Sequence, residues 1–234
     1  MTLKTILFGS IGALVETSEQ QREAFNSAFR NAGLDWHWDR ETYKKLLSIN
    51  GGQKRLRAVA EETGTELSDE QIEAIHADKS DIYQQRLREY GVTLRPGVQE
   101  LIHIAKAEGI TLGFVSATSI ANIEAIGQAL GDNSPYDDFA IVTNATTVDE
   151  RKPAPDVYEY ALNELRANAS ETIAIEDTAS SLSAASAAGI TTVATPGEYA
   201  QEQDFSRADA VAEQGQIADL DWLRSVLDGQ REMA

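Results

Sequence analysis

Short apolar runs alternate with helical patterns over most of the chain. Each run is bounded by glycine, proline or polar residues, and the five runs are Leu3–Phe8, Thr111–Ser116, Ile141–Thr143, Ile173–Ile175 and Thr191–Ala194. Between them, apolar residues share helix faces at Leu101, Ile102 and Ala105, at Ile123, Ile126 and Leu130, and at Val157, Tyr160 and Ala161. Strands that alternate with such helices form a parallel sheet through right-handed crossovers. The pattern predicts an α/β fold with a doubly wound parallel sheet.

Residues 15–91 have a different pattern, which is helical throughout. Ser18 and Ser68 each precede a glutamine by three residues, which is the capping-box spacing that opens a helix. Asp39 can cap a further helix, and Gly91 is a suitable stop for the last one. We therefore predict that this segment contains helices only.

The helical segment interrupts the α/β pattern and so defines two domains. We predict an α/β core domain of residues 1–14 and 92–234 and a helical cap domain of residues 15–91. Ligands of parallel sheets bind beyond the carboxyl ends of the strands. Because the insertion follows the loop after the first strand, we expect the cap to lie over the mouth of a site at that edge.

The composition of the 234 residues narrows the classes of function. The formal net charge is −18, which argues against nucleic acid as a partner because a phosphate backbone needs a basic surface. No apolar stretch approaches the ~18 residues of a membrane span, so we expect no membrane partner. The N-terminus has no basic region followed by a long apolar run, so we expect no secretory signal. The chain has no cysteine, which excludes disulfides and thiol chemistry and fits a cytoplasmic protein.

Polar residues lie where the predicted strands end. Ser116 ends one strand, Lys152 lies in a proline-stiffened loop before a helix, and Glu176 and Asp177 end another strand. A hydroxyl group and a lysine can hold phosphate oxygens, and two adjacent carboxylates can hold magnesium. These residue types predict a phosphate site with a magnesium ion, although the two carboxylates could instead serve only to cap the following helix.

The order of these motifs resembles the haloacid-dehalogenase superfamily of phosphotransferases, in the branch with a helical cap after the first strand. The chain is more similar still to the CbbY-type sugar-bisphosphate phosphatases, and β-phosphoglucomutase shares the plan. The similarity covers nearly the whole chain. It rests on short segments in order, among them "KTILFGSIGAL", "REAFNSAFRNAGLDWHW", "YKKLLSINGGQKRL", "RKPAPDVYEYAL" and "IEDTASSLSAASAAGI".

The resemblance implies covalent phosphoryl transfer at the end of the first strand. In the family, an aspartate after this strand attacks phosphorus, and a second aspartate two residues later protonates the leaving group and then activates water. Those two catalytic positions are Gly9 and Ile11 here, and neither side chain can attack phosphorus or carry a proton. The residues that stabilise the transferred phosphoryl group in the family match Ser116 and Lys152.

Other family positions are partly retained. The magnesium ligands match Glu176 and Asp177, and the positions that face the substrate match Arg22, Gly51, Gly52 and Arg55, although both arginines could be ordinary helix-surface residues. Further residues depart from the family pattern, and these are Ala13, Ser18, Gln21, Gln53 and Ser181. Magnesium binding is therefore predicted at a weakened site and is left open.

Dispersed substitutions of this kind indicate drift or redeployment after loss of phosphatase activity. We predict a CbbY-type protein that binds a small phosphorylated sugar without efficient turnover. One alternative is a magnesium-dependent hydrolase of a phosphorylated sugar with weak or altered chemistry, in which Glu176 or Asp177 positions water. The other alternative is a non-catalytic protein partner of an active paralogue.

Overall fold

The structure is a computed structural model that describes residues 2–49 and 51–232. The chain divides into two compact units, one formed by residues 1–16 with 92–234 and the other by residues 17–91. The predicted domain boundary after residue 14 lies two residues before the first of these junctions. We keep the assignment of a core domain and a cap domain as a proposal.

The first unit, called the α/β unit below, is built on a six-stranded sheet. The strands are β1 Thr5–Phe8, β2 Thr111–Phe114, β3 Ile141–Val142, β4 Thr172–Glu176, β5 Thr191–Ala194 and β6 Ala210–Val211. Their order across the sheet is β3-β2-β1-β4-β5-β6, and every neighbouring pair is parallel. The strand order reverses beside β1, as in doubly wound folds. The predicted fold class is confirmed.

The helices complete the two units. In chain order they are α1 Ile11–Leu14, α2 Ser18–Asn31, α3 Arg40–Leu46, α4 Gly52–Thr63, α5 Asp69–Tyr90, α6 Val98–Ala107, α7 Ile120–Leu130, α8 Asp156–Leu165, α9 Ala179–Ala187 and α10 Leu220–Glu232. Helices α2 to α5 form the second unit, called the helical unit below. None of the described helices is both long enough and apolar enough to cross a membrane.

The predicted apolar faces of the α/β unit are confirmed except at one position. Val157 and Ala161 of α8 are buried as predicted, whereas Tyr160 is 39% exposed and Tyr158 is fully buried in its place. Residues 157, 158 and 161 also share one face of a helix, so the helical period allows either choice. The sequence pattern did not reveal β6, a two-residue strand whose Val211 is exposed at the edge of the sheet.

In the helical unit, the described residues of 17–91 form no strand, as predicted. The capping box at Ser68 is confirmed, and the Asp39 carboxylate accepts a hydrogen bond from the Thr42 amide at 2.7 Å. The predicted box at Ser18 is wrong, because Thr17 is the N-cap and Ser18 is already the first residue of α2. A residue within the predicted cap bounds, Val15, forms an isolated bridge in the α/β unit.

The core of the helical unit is aromatic. The indole of Trp38 packs against the rings of Phe25, Phe29 and Tyr43, with centroid distances of 4.7, 4.7 and 6.0 Å. The buried amide of Asn26 fixes Trp38 further, since it accepts from the Trp38 amide at 2.8 Å and donates to the Trp38 carbonyl at 2.9 Å. The segment between α2 and α3 is thereby held without regular structure of its own.

Candidate functional site

The site begins where three neighbouring strands end. Strand β1 lies between β2 and β4, and Phe8 is in register with Phe114 and with Ile175. Because the strands are parallel, the residues that follow Phe8 and Phe114 reach the same edge of the sheet as the end of β4. This register brings Gly9 beside the carboxyl ends of both neighbouring strands.

A buried network of three side chains occupies this edge, and we call Lys152, Tyr158 and Glu176 the Lys152 network. The Lys152 ammonium donates to Glu176 Oε1 at 2.7 Å, and its Nζ lies 4.7 Å from the centre of the Tyr158 ring. The Tyr158 hydroxyl donates to the same Glu176 oxygen. Lys152 is 8% exposed and Glu176 is fully buried, so this ion pair is shielded from water.

The Lys152 ammonium is also bound by the main chain. It donates to the Gly9 carbonyl and, at 3.0 Å, to the Val115 carbonyl. Lys152 therefore joins the ends of β1, β2 and β4, which brings together the predicted residues Gly9, Lys152 and Glu176. Its role as a phosphate ligand stays a prediction.

The electrostatics of the network follow from burial. Loss of solvent, and then the charge of Glu176, raise the pKa of Tyr158 well above its ordinary value. The Tyr158 hydroxyl thus keeps its proton and serves as a donor. Glu176 Oε2 is buried and has no hydrogen-bond partner within the described part of the chain. An unpaired oxygen of this kind is costly, so Glu176 depends on the donors to its other oxygen.

The backbone at Gly9 passes against the ends of the Glu176 and Tyr158 side chains, which would have to move to admit a side chain at this position. A Cβ atom at Gly9 would lie closer than 3.0 Å to Glu176 Cδ, to Glu176 Oε1 and to the Tyr158 hydroxyl. The space beside the predicted nucleophile position is therefore filled by two side chains from other elements. The other predicted catalytic position, Ile11, begins α1 and is half-buried.

Asp177 faces the loop after β1 rather than the Lys152 network. The Ser10 hydroxyl donates to Asp177 Oδ1, and a Cβ atom at Gly12 would clash with Asp177 Oδ2. Burial, followed by the charge of Glu176, raises the pKa of Asp177 to about 6, against the opposing effects of Ser10 and Arg95. Asp177 thus holds the loop that contains both predicted catalytic positions.

Ser116 lies just beyond β2 and is buried. Its amide donates to the Thr143 hydroxyl at 2.9 Å, and the same hydroxyl donates back to the Ser116 carbonyl at 2.9 Å. The Ser116 hydroxyl accepts from the Thr118 amide at 3.2 Å. These bonds position Ser116 at the sheet edge, and its binding of phosphate remains a prediction.

In the helical unit, the two predicted arginines contact the protein itself. Arg22 donates to the Trp38 carbonyl at 2.8 Å and pairs with Glu19 at 2.8 Å and with Glu23. Arg55 Nε donates to the carbonyls of residues 46 and 49, at 3.0 and 2.9 Å, and so ties the end of α3 to α4. Both contacts stabilise the helical unit, and substrate binding by the two arginines stays a prediction.

The predicted glycine pair lies at the start of α4. Gly51 is the N-cap residue, with a φ of +92°, and it is exposed. Gly52 is the first helical residue, and a Cβ atom there would lie only 2.5 Å from the His76 ring. The turn into α4 thus needs glycine at both positions for local reasons, whatever the loop binds.

Sequence analysis missed Lys79, a buried cation of the helical unit. Its ammonium donates to Gln21 Oε1 at 3.0 Å and lies 4.9 and 5.0 Å from the ring centres of Phe25 and Tyr83. In the described part of the chain its contacts include no carboxylate. Burial, and then the charge of Arg55, lower the pKa of Lys79 to about 7. The lysine could have been found, because it continues the apolar face of α5 formed by Ile72, Ile75, Tyr83 and Leu87.

The strand order defines a doubly wound α/β fold with an inserted helical segment. Comparison with known proteins identifies the family. The sequence model of the haloacid dehalogenase-like hydrolases matches residues 3–189, and the chain belongs to that family. Within it, the chain is a CbbY-type protein. It is 40% identical to Protein CbbY of Rhodobacter capsulatus over 209 residues, covering 89% of this chain and 92% of that one. The predicted family is confirmed.

A solved structure agrees with the sequence comparison. CbbY from Rhodobacter sphaeroides in complex with phosphate superimposes with a TM-score of 0.86 at 34% identity, covering 97% of this chain and 100% of that one. A mutant of the same protein was solved with xylulose-(1,5)bisphosphate, with a TM-score of 0.84, 34% identity and coverage of 92% and 96%. Two structures of this similar protein therefore contain phosphate or a phosphorylated sugar.

Phosphatases of this family generally use magnesium, and the residues present here fit that ion poorly. Mg²⁺ needs carboxylate oxygens that are free to coordinate at about 2.0–2.1 Å. One Glu176 oxygen is held by Lys152 and Tyr158, and one Asp177 oxygen accepts from Ser10. Among residues 2–49 and 51–232, no three or more His, Cys, Asp or Glu side chains form a group that could hold a metal ion.

Proposed function

We propose that this CbbY-type protein binds a small phosphorylated sugar and does not turn it over by aspartyl-phosphate chemistry. The observation that supports the proposal most strongly is the close approach of Glu176 and Tyr158 to Gly9. Covalent phosphoryl transfer needs a nucleophilic oxygen fixed in line with the leaving group, and positioning of this kind supplies about 7–11 kcal/mol of the barrier. Gly9 provides no such oxygen, and the adjacent space holds side chains that already bind each other.

The neighbouring residues do not restore the missing chemistry. Ser10 has a hydroxyl, but that hydroxyl is held by its hydrogen bond to Asp177 Oδ1. Ile11 cannot protonate a leaving group or take a proton from water. A hydrolase that uses Asp177 to position water is the alternative activity, and a turnover assay distinguishes it from a binder.

The class of ligand rests on the relatives and on one buried cation. CbbY from Rhodobacter sphaeroides is bound to xylulose-(1,5)bisphosphate, which carries two phosphate groups. In this chain, Lys79 is a buried cation of the helical unit whose contacts in the described residues include no carboxylate. A phosphate oxygen would give Lys79 an anionic partner, and the ligand of the relative is a bisphosphate, so we propose a sugar bisphosphate as the preferred ligand.

Thermal unfolding with added xylulose-1,5-bisphosphate tests the binding proposal. A ligand that binds only the folded state stabilises it by about 2.7 kcal/mol at roughly a hundredfold excess over its dissociation constant. We expect the melting temperature to rise with the bisphosphate, and to rise less in a Lys79→Gln variant. A flat titration of the wild-type protein with pentose and hexose phosphates would contradict binding and would favour the protein-partner interpretation.

The pH dependence of the same titration tests the role of Lys79. Because the pKa of Lys79 is lowered to about 7, its ammonium loses its proton as the pH rises through that value. An anion binds the protonated form, so the affinity of wild-type protein should fall from pH 7 upward. The Lys79→Gln variant should show no such fall, and a Lys106→Gln variant, which changes a half-exposed lysine, should behave like the wild type. Equal pH profiles for all three proteins would contradict a role for Lys79 in ligand binding.

A further inference from the structure

The charge of Glu176 is already balanced by a cation that belongs to the chain. The Lys152 ammonium donates to the carbonyls of Gly9 and Val115 and to the carboxylate of Glu176, and the Tyr158 hydroxyl lies 3.5 Å from its Nζ. The Tyr158 hydroxyl is a second donor to the carboxylate oxygen that Lys152 contacts. The Lys152 ammonium therefore balances the negative charge of Glu176 without an ion from solution.

The geometry of this partnership differs from that of a metal ligand. A carboxylate that binds a divalent cation must direct an oxygen toward an open position that also admits water. Glu176 is fully buried, one of its oxygens is shared by Lys152 and Tyr158, and the other is enclosed without a polar partner. Glu176 thus lies within the packed edge of the sheet, where Gly9 leaves room for it.

The other carboxylate at the end of β4 is Asp177. Asp177 uses Oδ1 to accept from Ser10, and its Oδ2 lies against the backbone of Gly12. Asp177 is half-buried, and the carboxylate of the nearby Glu16 accepts a hydrogen bond from the Glu198 amide at 2.7 Å. A specific magnesium site needs carboxylate oxygens that are free to coordinate the ion.

We infer that the Lys152 ammonium takes the place of a divalent cation as the partner of Glu176, so that folding and ligand binding by this protein are independent of magnesium. The part of the inference that concerns ligand binding rests on the proposed function, whereas the part that concerns the cation site does not. In this account an internal ion pair serves in place of a bound ion, and it lies directly beside the backbone of Gly9.

Binding of Mn²⁺, a stand-in for magnesium that is visible by electron paramagnetic resonance, tests the cation site directly. Wild-type protein, Asp177→Asn and Asp221→Asn would be titrated with manganese chloride. The last variant removes an equal charge at a carboxylate whose side chain is 91% exposed. We expect weak binding of similar strength in all three proteins. A saturable site of one ion per chain that is lost in Asp177→Asn and kept in Asp221→Asn would overturn the inference.

Ligand binding separates this inference from the proposed function. The thermal titration with xylulose-1,5-bisphosphate would be run in EDTA and in millimolar magnesium chloride. We expect dissociation constants that agree within about a factor of two, since a required ion would change the affinity by about tenfold or more. A shift that appears only with magnesium would overturn the inference and leave the proposed function intact. With no shift in either buffer, the proposed function fails, and the manganese titration alone decides the inference.

Discussion

Replacing Lys152 by methionine should lower the free energy of unfolding by about 3–5 kcal/mol, the usual cost of breaking a buried ion pair by removing one partner. The substitution leaves Glu176 fully buried without its ammonium, and it leaves two carbonyl groups without a donor. Chemical denaturation of the purified variant beside the wild type measures the loss. Methionine keeps the length of the side chain, so the effect reports charge and hydrogen bonding rather than a cavity.

Two companion variants show whether the loss comes from the buried charge. Lys152→Met combined with Glu176→Gln should recover most of the stability, because an amide no longer needs a cation and still accepts from Tyr158. Lys106→Met removes a lysine from the exposed pair with Asp138, and it should cost no more than about 1 kcal/mol. A double variant as unstable as the single one would contradict the buried-pair account.

Introducing aspartate at Gly9 should destabilise the fold rather than restore activity. Its Cβ atom would lie within 3.0 Å of Glu176 and the Tyr158 hydroxyl, and overpacking of this kind costs about 1–3 kcal/mol. The new carboxylate would also lie beside Glu176, so two negative charges would share one lysine. Gly9→Ala has the same steric conflict without the charge and should lose less stability than Gly9→Asp. Thermal unfolding of both variants measures the difference.

A second substitution should rescue the aspartate. Gly9→Asp with Glu176→Ala moves the carboxylate from the end of β4 to the end of β1, where Lys152 already donates to the Gly9 carbonyl. This double variant should be more stable than Gly9→Asp alone. If Gly9→Asp unfolds like the wild type, the space beside Gly9 is free and the explanation for the missing aspartate fails.

The fold could be predicted from the sequence because strands and helices are marked by short patterns of neighbouring residues, and these patterns recur along the chain. Apolar runs bounded by turns locate five of the strands, and the capping residues Asp39 and Ser68 mark the starts of two helices. The two-residue strand β6 was missed because a segment that short has no period to detect. The predicted box at Ser18 is wrong because α2 begins one residue earlier than expected, with Thr17 as its N-cap.

The site was only partly predictable because its chemistry depends on contacts between distant residues. The sequence placed Gly9, Lys152 and Glu176 at strand ends, and parallel register brings such residues together. It could not show that Glu176 faces inward to Lys152, since this depends on the space left by Gly9 over a separation of 167 positions in the chain. It also missed Tyr158, because the α8 pattern allows Tyr160 on the buried face equally well.

The most direct test of the central claim is steady-state hydrolysis of xylulose-1,5-bisphosphate by wild-type protein with magnesium present. A chain without a nucleophile at Gly9 and without an acid at Ile11 should release no phosphate above the buffer blank. It should also form no phosphoenzyme. An Asp177→Asn variant, purified in parallel, controls for contaminating phosphatases. Turnover near about one per second, a typical enzymatic rate, that is present in the wild type and absent from this variant would contradict the account.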